Sequence, residues 1–169
     1  MLRLLLLRHA EAVARAGTDL ERRLADVGRA GAARMGAYFR KSGLAPDLAI
    51  VSPALRTRET FEIVELELPL RPKARLEPSL YNASLGALHA LLAQVPSNVG
   101  TLLIVGHNPS VAEFACALAG DGDGDGFAGM RRSFPAPSLV VIDFPGSDWA
   151  DISEGRGRLD RFVTLASLP

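Results

Sequence analysis

Four consecutive leucines, Leu4 to Leu7, run directly into Arg8 and His9 in the opening stretch "MLRLLLLRHAEA". An uninterrupted apolar run of this length suits a strand covered on both faces, the arrangement of a parallel sheet between two layers of helices. Leu48 to Val51, Leu102 to Val105 and Leu139 to Ile142 repeat the pattern, each bounded by polar residues, glycine or proline. Between these runs the period becomes helical. Ala32, Met35, Gly36 and Phe39 fall at i, i+3, i+4 and i+7, as do Val111, Phe114, Ala115 and Leu118; Leu85, Leu88, Leu92 and Val95 keep a related spacing, and Phe61, Val64 and Leu68 a sparser one. Strands alternating with amphipathic helices predict an α/β fold, a three-layer α/β/α sandwich about a mainly parallel central sheet. At 169 residues, without an internal repeat or a linker, the chain is expected to be one domain over 1–169.

The opening also has the outline of a secretory leader, with a charged start and an A-x-A triplet at Ala10 to Ala12. Its apolar core stops at Leu7, short of the roughly 7 to 15 residues a leader needs, so the strand reading is preferred. Nineteen basic and nineteen acidic side chains cancel, which argues against holding nucleic acid or a membrane surface by bulk charge. No apolar stretch nears the roughly 20 residues of a membrane span, and Cys116 has no partner for an internal disulfide. A cytoplasmic protein is the expectation.

The low-complexity patch "DGDGDG", Asp121 to Gly126, opens like a calcium loop. The position that should bring a bidentate glutamate is Arg132, however, so a mobile acidic loop is expected and no metal is assigned.

Ligands of open parallel sheets collect beyond the carboxyl ends of the strands. Arg8 and His9 follow the first run; Ser52 and Pro53 follow the second, opening "SPALRTRET" with Arg56 and Arg58; Gly106, His107, Asn108 and Pro109 follow the third. Guanidinium forks match phosphate oxygens, and the expected helix starts at Ser52-Pro53 and at Pro109 would add backbone N–H donors. Together they predict a site for a phosphate dianion. A neutral imidazole can attack phosphorus when a hydrogen bond fixes its tautomer, and a second imidazole can stabilise the transition state. His9 and His107 therefore read as a catalytic pair. Arg22 and Arg58 fit either the site or a solvated helix face. His89, isolated in a helix, reads as a surface residue, and Cys116 lacks the loop of a thiolate phosphatase.

These motifs resemble the histidine phosphatase superfamily, the phosphoglycerate-mutase-like fold. "LRHAE" at Leu7 to Glu11 is similar to its RHG signature with Ala10 for glycine, "SPALRTRET" to its second arginine motif, and "VGHNP" at Val105 to Pro109 to its second histidine motif. The resemblance spans residues 3 to about 119 and, with "RLEPSLYNAS", is strongest to the small SixA-type phosphohistidine phosphatases. It implies that His9 is the nucleophile, Arg8 and Arg56 the phosphate clamps and His107 the second imidazole. Arg22, in "DLERRLADVG", falls where short members carry an arginine, and Asn108 joins the phosphate-binding candidates. Glu77 is the nearest candidate for a general acid. The implied activity is a phosphatase without cofactor or metal. Its partner would be a phosphorylated protein carrying phosphohistidine, or else a small phosphate ester; a noncatalytic phosphate-binding module is the further alternative.

Overall fold

The structure, a computed structural model, describes residues 1–168. The first leucine run lies inside strand β1 (Leu2–Arg8), where Leu4 to Leu7 are fully buried. The other runs lie in β2 (Leu48–Val51), β4 (Thr101–Gly106) and β6 (Ser138–Phe144). Three strands carry no apolar run: β3 (Lys73–Leu76), β5 (Ala119–Gly122) and β7 (Gly157–Thr164). The sheet order is β3-β2-β4-β1-β6-β7-β5, so β1 is interior. β3, β2, β4 and β1 run parallel, β6 is antiparallel to both its neighbours, and β5 is parallel to β7.

Alternating side chains of each strand serve opposite layers. Leu5 and Leu7 pack with Met35 and Phe39 of α1 (Asp26–Lys41) and Phe61 and Val64 of α2 (Leu55–Glu65). Leu4 and Leu6 pack with Leu88 and Leu91 of α3 (Leu85–Leu92), Phe114 and Leu118 of α4 (Ser110–Leu118), and Met130 of α5 (Gly124–Arg132). The fold is thus the α/β/α sandwich expected. Among the described residues no helix is long and apolar enough to cross a membrane.

Two local expectations are corrected. The Asp121 to Gly126 patch is no loop: Asp121 and Gly122 end β5, and Asp123 caps α5 by accepting from the N–H of Asp125 (3.2 Å). Gly122 has φ +120°, and a Cβ there would lie 2.1 Å from the Leu159 carbonyl oxygen, so glycine is needed for this strand to approach β7. Ser52 does not cap α2, which begins at Leu55 after Ala54. Its hydroxyl is engaged by His107 instead.

Candidate active site

Parallel register brings three strand ends to one level. Leu7 and Val51 both lie opposite Val105, and Arg8 lies opposite Gly106. One step further, the His9 N–H donates to the Gly106 carbonyl (3.1 Å) and the Ser52 N–H to the Val105 carbonyl (3.0 Å). His9, Ser52 and His107 therefore emerge together at the carboxyl edge of the sheet, and the first turn of α2 adds Arg56.

His9 Nδ1 lies 2.7 Å from the Ala10 carbonyl oxygen. A carbonyl only accepts, so Nδ1 carries the proton and Nε2 keeps its lone pair. Arg56 Nε donates towards that lone pair at 3.3 Å. Burial pushes the imidazole down to about 3; the Ala10 bond opposes this, while the charges of His107, Arg56 and Arg8 reinforce it. At neutral pH His9 is an uncharged ring with its Nε2 lone pair beside a cation.

His107 is 8% exposed, with Nε2 2.7 Å from the hydroxyl of the fully buried Ser52 and Nδ1 3.4 Å from Arg56 Nη2. A guanidinium has no acceptor, which assigns the lone pair to Nδ1 and the proton to Nε2, donated to Ser52. Burial, then the Arg56 charge, lowers this imidazole to about 4, with Asp19 pulling the other way. The two histidine rings stand with centroids 5.3 Å apart at 61°, and Tyr81 meets His107 edge-on at 5.6 Å.

Arg8 and Asn108 share one acceptor, the Phe134 carbonyl, through Arg8 Nη1 and Asn108 Nδ2. Arg8 Nε and Asn108 Oδ1 are buried with no partner among the described residues. Buried N–H groups are seldom left unpaired, so Arg8 Nε is a donor suited to an anionic ligand. The Asn108 amide nitrogen spends one of its two N–H donors on that carbonyl.

Ala10 takes the place of a glycine without strain, because among the described residues Asn82 is the one non-glycine with positive φ. Its N–H donates to Thr60 Oγ1 (3.0 Å), which itself donates to the Arg56 carbonyl (2.7 Å). Thr60 thereby ties the turn after His9 to the helix carrying Arg56. Helix α1 crosses that turn closely: a Cβ on Gly28 would lie 1.9 Å from the Glu11 carbonyl oxygen.

The remaining candidates sit differently. Arg22 donates to the Val13 carbonyl (2.8 Å) and to Asp19 Oδ1 (2.9 Å), reaching the histidines only through Asp19. Glu77 is not brought to them: it caps the short 3-10 turn Pro78–Leu80, accepting from Ser79 and from Arg75. Those bonds, the Ser79 hydroxyl foremost, hold its carboxyl below the usual range, and it lines a separate cleft with Ala87, Ala90, Leu91 and Gln94. Arg58 lines another cleft with Phe61, Glu62 and Arg75. His89 packs edge-on against Phe114, and Cys116 is exposed on α4. Among the described residues no group of three or more His, Cys, Asp or Glu side chains is placed to hold a metal ion.

Sequence reasoning passed over Asp19, Tyr81 and Thr60. Asp19 accepts from Tyr81 OH (2.6 Å), Arg22 and Arg56, and these bonds, Tyr81 first, hold its carboxyl far below the usual range. It lies in an exposed, aperiodic stretch; its proximity to the arginines of "TDLERRL" was the only signal.

A sheet of this order with two histidines and two arginines at its carboxyl edge defines a phosphate-handling enzyme of the phosphoglycerate-mutase-like type. The sequence matches the histidine phosphatase superfamily (branch 1) over residues 4–101, and the chain belongs to that superfamily. It is a hydrolase, a phosphatase of the histidine phosphatase type. An uncharacterized protein of Mycobacterium tuberculosis is 33% identical over 159 residues, covering 92% of this chain and 98% of that protein. A protein proposed to be the phosphohistidine phosphatase SixA of Nakamurella multipartitia superposes with a TM-score of 0.85 at 27% identity, covering 96% of this chain and 95% of that one. Its counterpart from Agrobacterium tumefaciens gives 0.81 at 28%, covering 96% and 97%.

Proposed function

We propose that this phosphatase acts through a covalent phosphohistidine on His9, without a metal, and that its substrate is phosphohistidine in a protein. The observation that carries the reading is the His9 tautomer: Nδ1–H is spent on the Ala10 carbonyl, leaving the Nε2 lone pair facing the Arg56 fork. Nε2 attacks phosphorus in line; the Nε2–P bond forms as the bond to the leaving group breaks, and the Ala10 carbonyl supports the charge that develops on the ring. Arg8 and Arg56 hold the phosphoryl oxygens. A dianion between Arg56 and His107 draws the Arg56 Nη2–H onto its own oxygens and raises that imidazole's pKa, so Nδ1, relieved of the facing donor, takes up a proton and adds a second cation where charge gathers. Water then attacks phospho-His9, releasing inorganic phosphate and restoring the imidazole.

The surroundings of the pair support this substrate class. The Glu77 carboxyl is committed to its own turn, and an imidazole leaving group asks less of a proton donor than an alkoxide. Asp19, bonded to Arg56, is exposed, which favours approach of a protein side chain from that side. The lone Cys116 suits a reducing cytoplasm. The test is turnover of a phosphohistidine protein against a panel of phosphate esters, with mass spectrometry of acid-labile phosphate on His9. His9→Ala is expected to lose turnover and trapping. Wild-type activity in that variant overturns the mechanism, preference for the esters overturns the substrate class, and phosphate binding without turnover would leave a recognition module.

A further inference from the structure

The planar guanidinium of Arg56 is held on two edges. Its inner edge faces the histidines, Nε towards His9 Nε2 at 3.3 Å and Nη2 towards His107 Nδ1 at 3.4 Å. Its outer edge is gripped by Asp19, whose backbone carbonyl accepts from Nη1 at 2.7 Å and whose Oδ2 accepts from Nη2 at 3.0 Å. Two parallel bonds to one residue fix the rotation of a rigid fork, and so the aim of its opposite edge. The chain beside Asp19 is itself pinned to the turn that carries Arg56, through the Leu55 N–H and the Leu20 carbonyl (2.9 Å). The same Oδ2 accepts from Tyr81 OH at 2.6 Å, and the Tyr81 ring stands against His107.

We propose that Asp19 is a positioning residue of the phosphatase: it aims the inner edge of Arg56 between the two histidines and, through Tyr81, braces His107. The inference rests on the reading of His9 as nucleophile. Asp19 is no proton donor, because Tyr81, Arg22 and Arg56 keep its carboxyl ionised; its effect passes through its neighbours.

Charge and positioning predict opposite outcomes here. A carboxylate beside an anion site repels phosphate, so an Asp19 that acted only as a charge would, once removed, leave phosphate bound more tightly. An Asp19 that aims Arg56 leaves, once its carboxylate is removed, a fork held by a single bond from Nη1 to the main-chain carbonyl and able to swing about it.

The experiment measures kcat and KM on a phosphohistidine protein, and the Kd of inorganic phosphate by calorimetry. It compares wild type with Asp19→Ala, Asp19→Asn, Arg56→Ala and the double variant D19A/R56A. D19A is expected to lower kcat by up to about 100-fold, the scale of a misplacement of about 1 Å, and to weaken phosphate binding despite the negative charge removed. D19N keeps an amide oxygen for Arg56 Nη2 and is expected to recover part of kcat. In the R56A background D19A should cost little more, since the two act as one unit. Tighter phosphate binding with unchanged kcat, or additive losses in the double variant, overturns the proposal. Should D19A fail to fold, the same cycle run with D19N decides on the same two criteria. Trapping of phospho-His9 separates the layers: none in wild type means the nucleophile reading fails, whereas trapping at the wild-type rate in D19A overturns the Asp19 role alone.

Discussion

Replacing Ser52 by alanine removes one hydroxyl from the site and little else. The Ser52 N–H stays bonded to the Val105 carbonyl, and the Ser52 carbonyl still accepts from Thr57 Oγ1 at 2.8 Å. What disappears is the partner of His107 Nε2, at 2.7 Å. With Ser52 fully buried and His107 8% exposed, water does not readily replace it. A buried N–H left unpaired costs about 1–3 kcal/mol. The ring has no free escape, because moving its proton to Nδ1 would set two donors against each other, 3.4 Å from Arg56 Nη2. In a chain of this size each kcal/mol lowers Tm by about 2–4 °C, so Ser52→Ala should melt roughly 2–12 °C below wild type. Urea unfolding at neutral pH in phosphate-free buffer gives the free energy, and turnover measured alongside should fall because His107 is no longer oriented. A stability within about 0.5 kcal/mol of wild type, the range of ordinary surface changes, together with undiminished turnover, would refute the claim that Ser52 holds this imidazole.

Other perturbations follow from the same geometry. Gly28→Ala places a Cβ 1.9 Å from the Glu11 carbonyl oxygen, so α1 or the turn after His9 must shift; stability should fall despite alanine's helix preference of about 1 kcal/mol, and a melting point at or above wild type would contradict it. Glu77→Gln should keep turnover close to wild type; a drop of about 100-fold, the scale of a lost proton-transfer group, would restore Glu77 as the acid. Both histidines titrate lower in the fold, His9 to about 3 and His107 to about 4, than their ordinary value of 6.5. Between 6.5 and about 4 the unfolded chain therefore binds more protons than the native one, and stability rises with pH. Unfolding across that window without phosphate should show a loss on acidification, by at most about 1.4 kcal/mol per pH unit for each histidine, and His107→Asn should flatten the slope.

Much of the scaffold is legible from the residues alone because strands buried on both faces must be apolar throughout. β1, β2, β4 and β6 announce themselves for that reason. β3 escapes the pattern as an edge strand whose four residues are all exposed, β5 because two of its four residues are glycine, and β7 because polar residues such as Asp160 interrupt its buried positions. The Asp121 to Gly126 patch misleads because a capping aspartate and a loop aspartate look alike until the helix behind them finds a core to cover.

Sequence by itself determined which groups stand at strand ends: Arg8 with His9 after Leu7, Ser52 after Val51, His107 after Gly106. Chain order and the length of each apolar run suffice for that. Only the tertiary structure decided what those groups do to one another. The His9 tautomer depends on where the Ala10 carbonyl turns, and Ser52 leaves its expected cap for His107 because β2 and β4 pair in register. Glu77 lies one residue beyond β3, yet its carboxyl is consumed by the turn that follows. Asp19 comes from an aperiodic segment to grip Arg56, 37 residues away in the chain. Local pattern encodes which residues a strand delivers; hydrogen-bond direction between distant segments exists only once they are packed together.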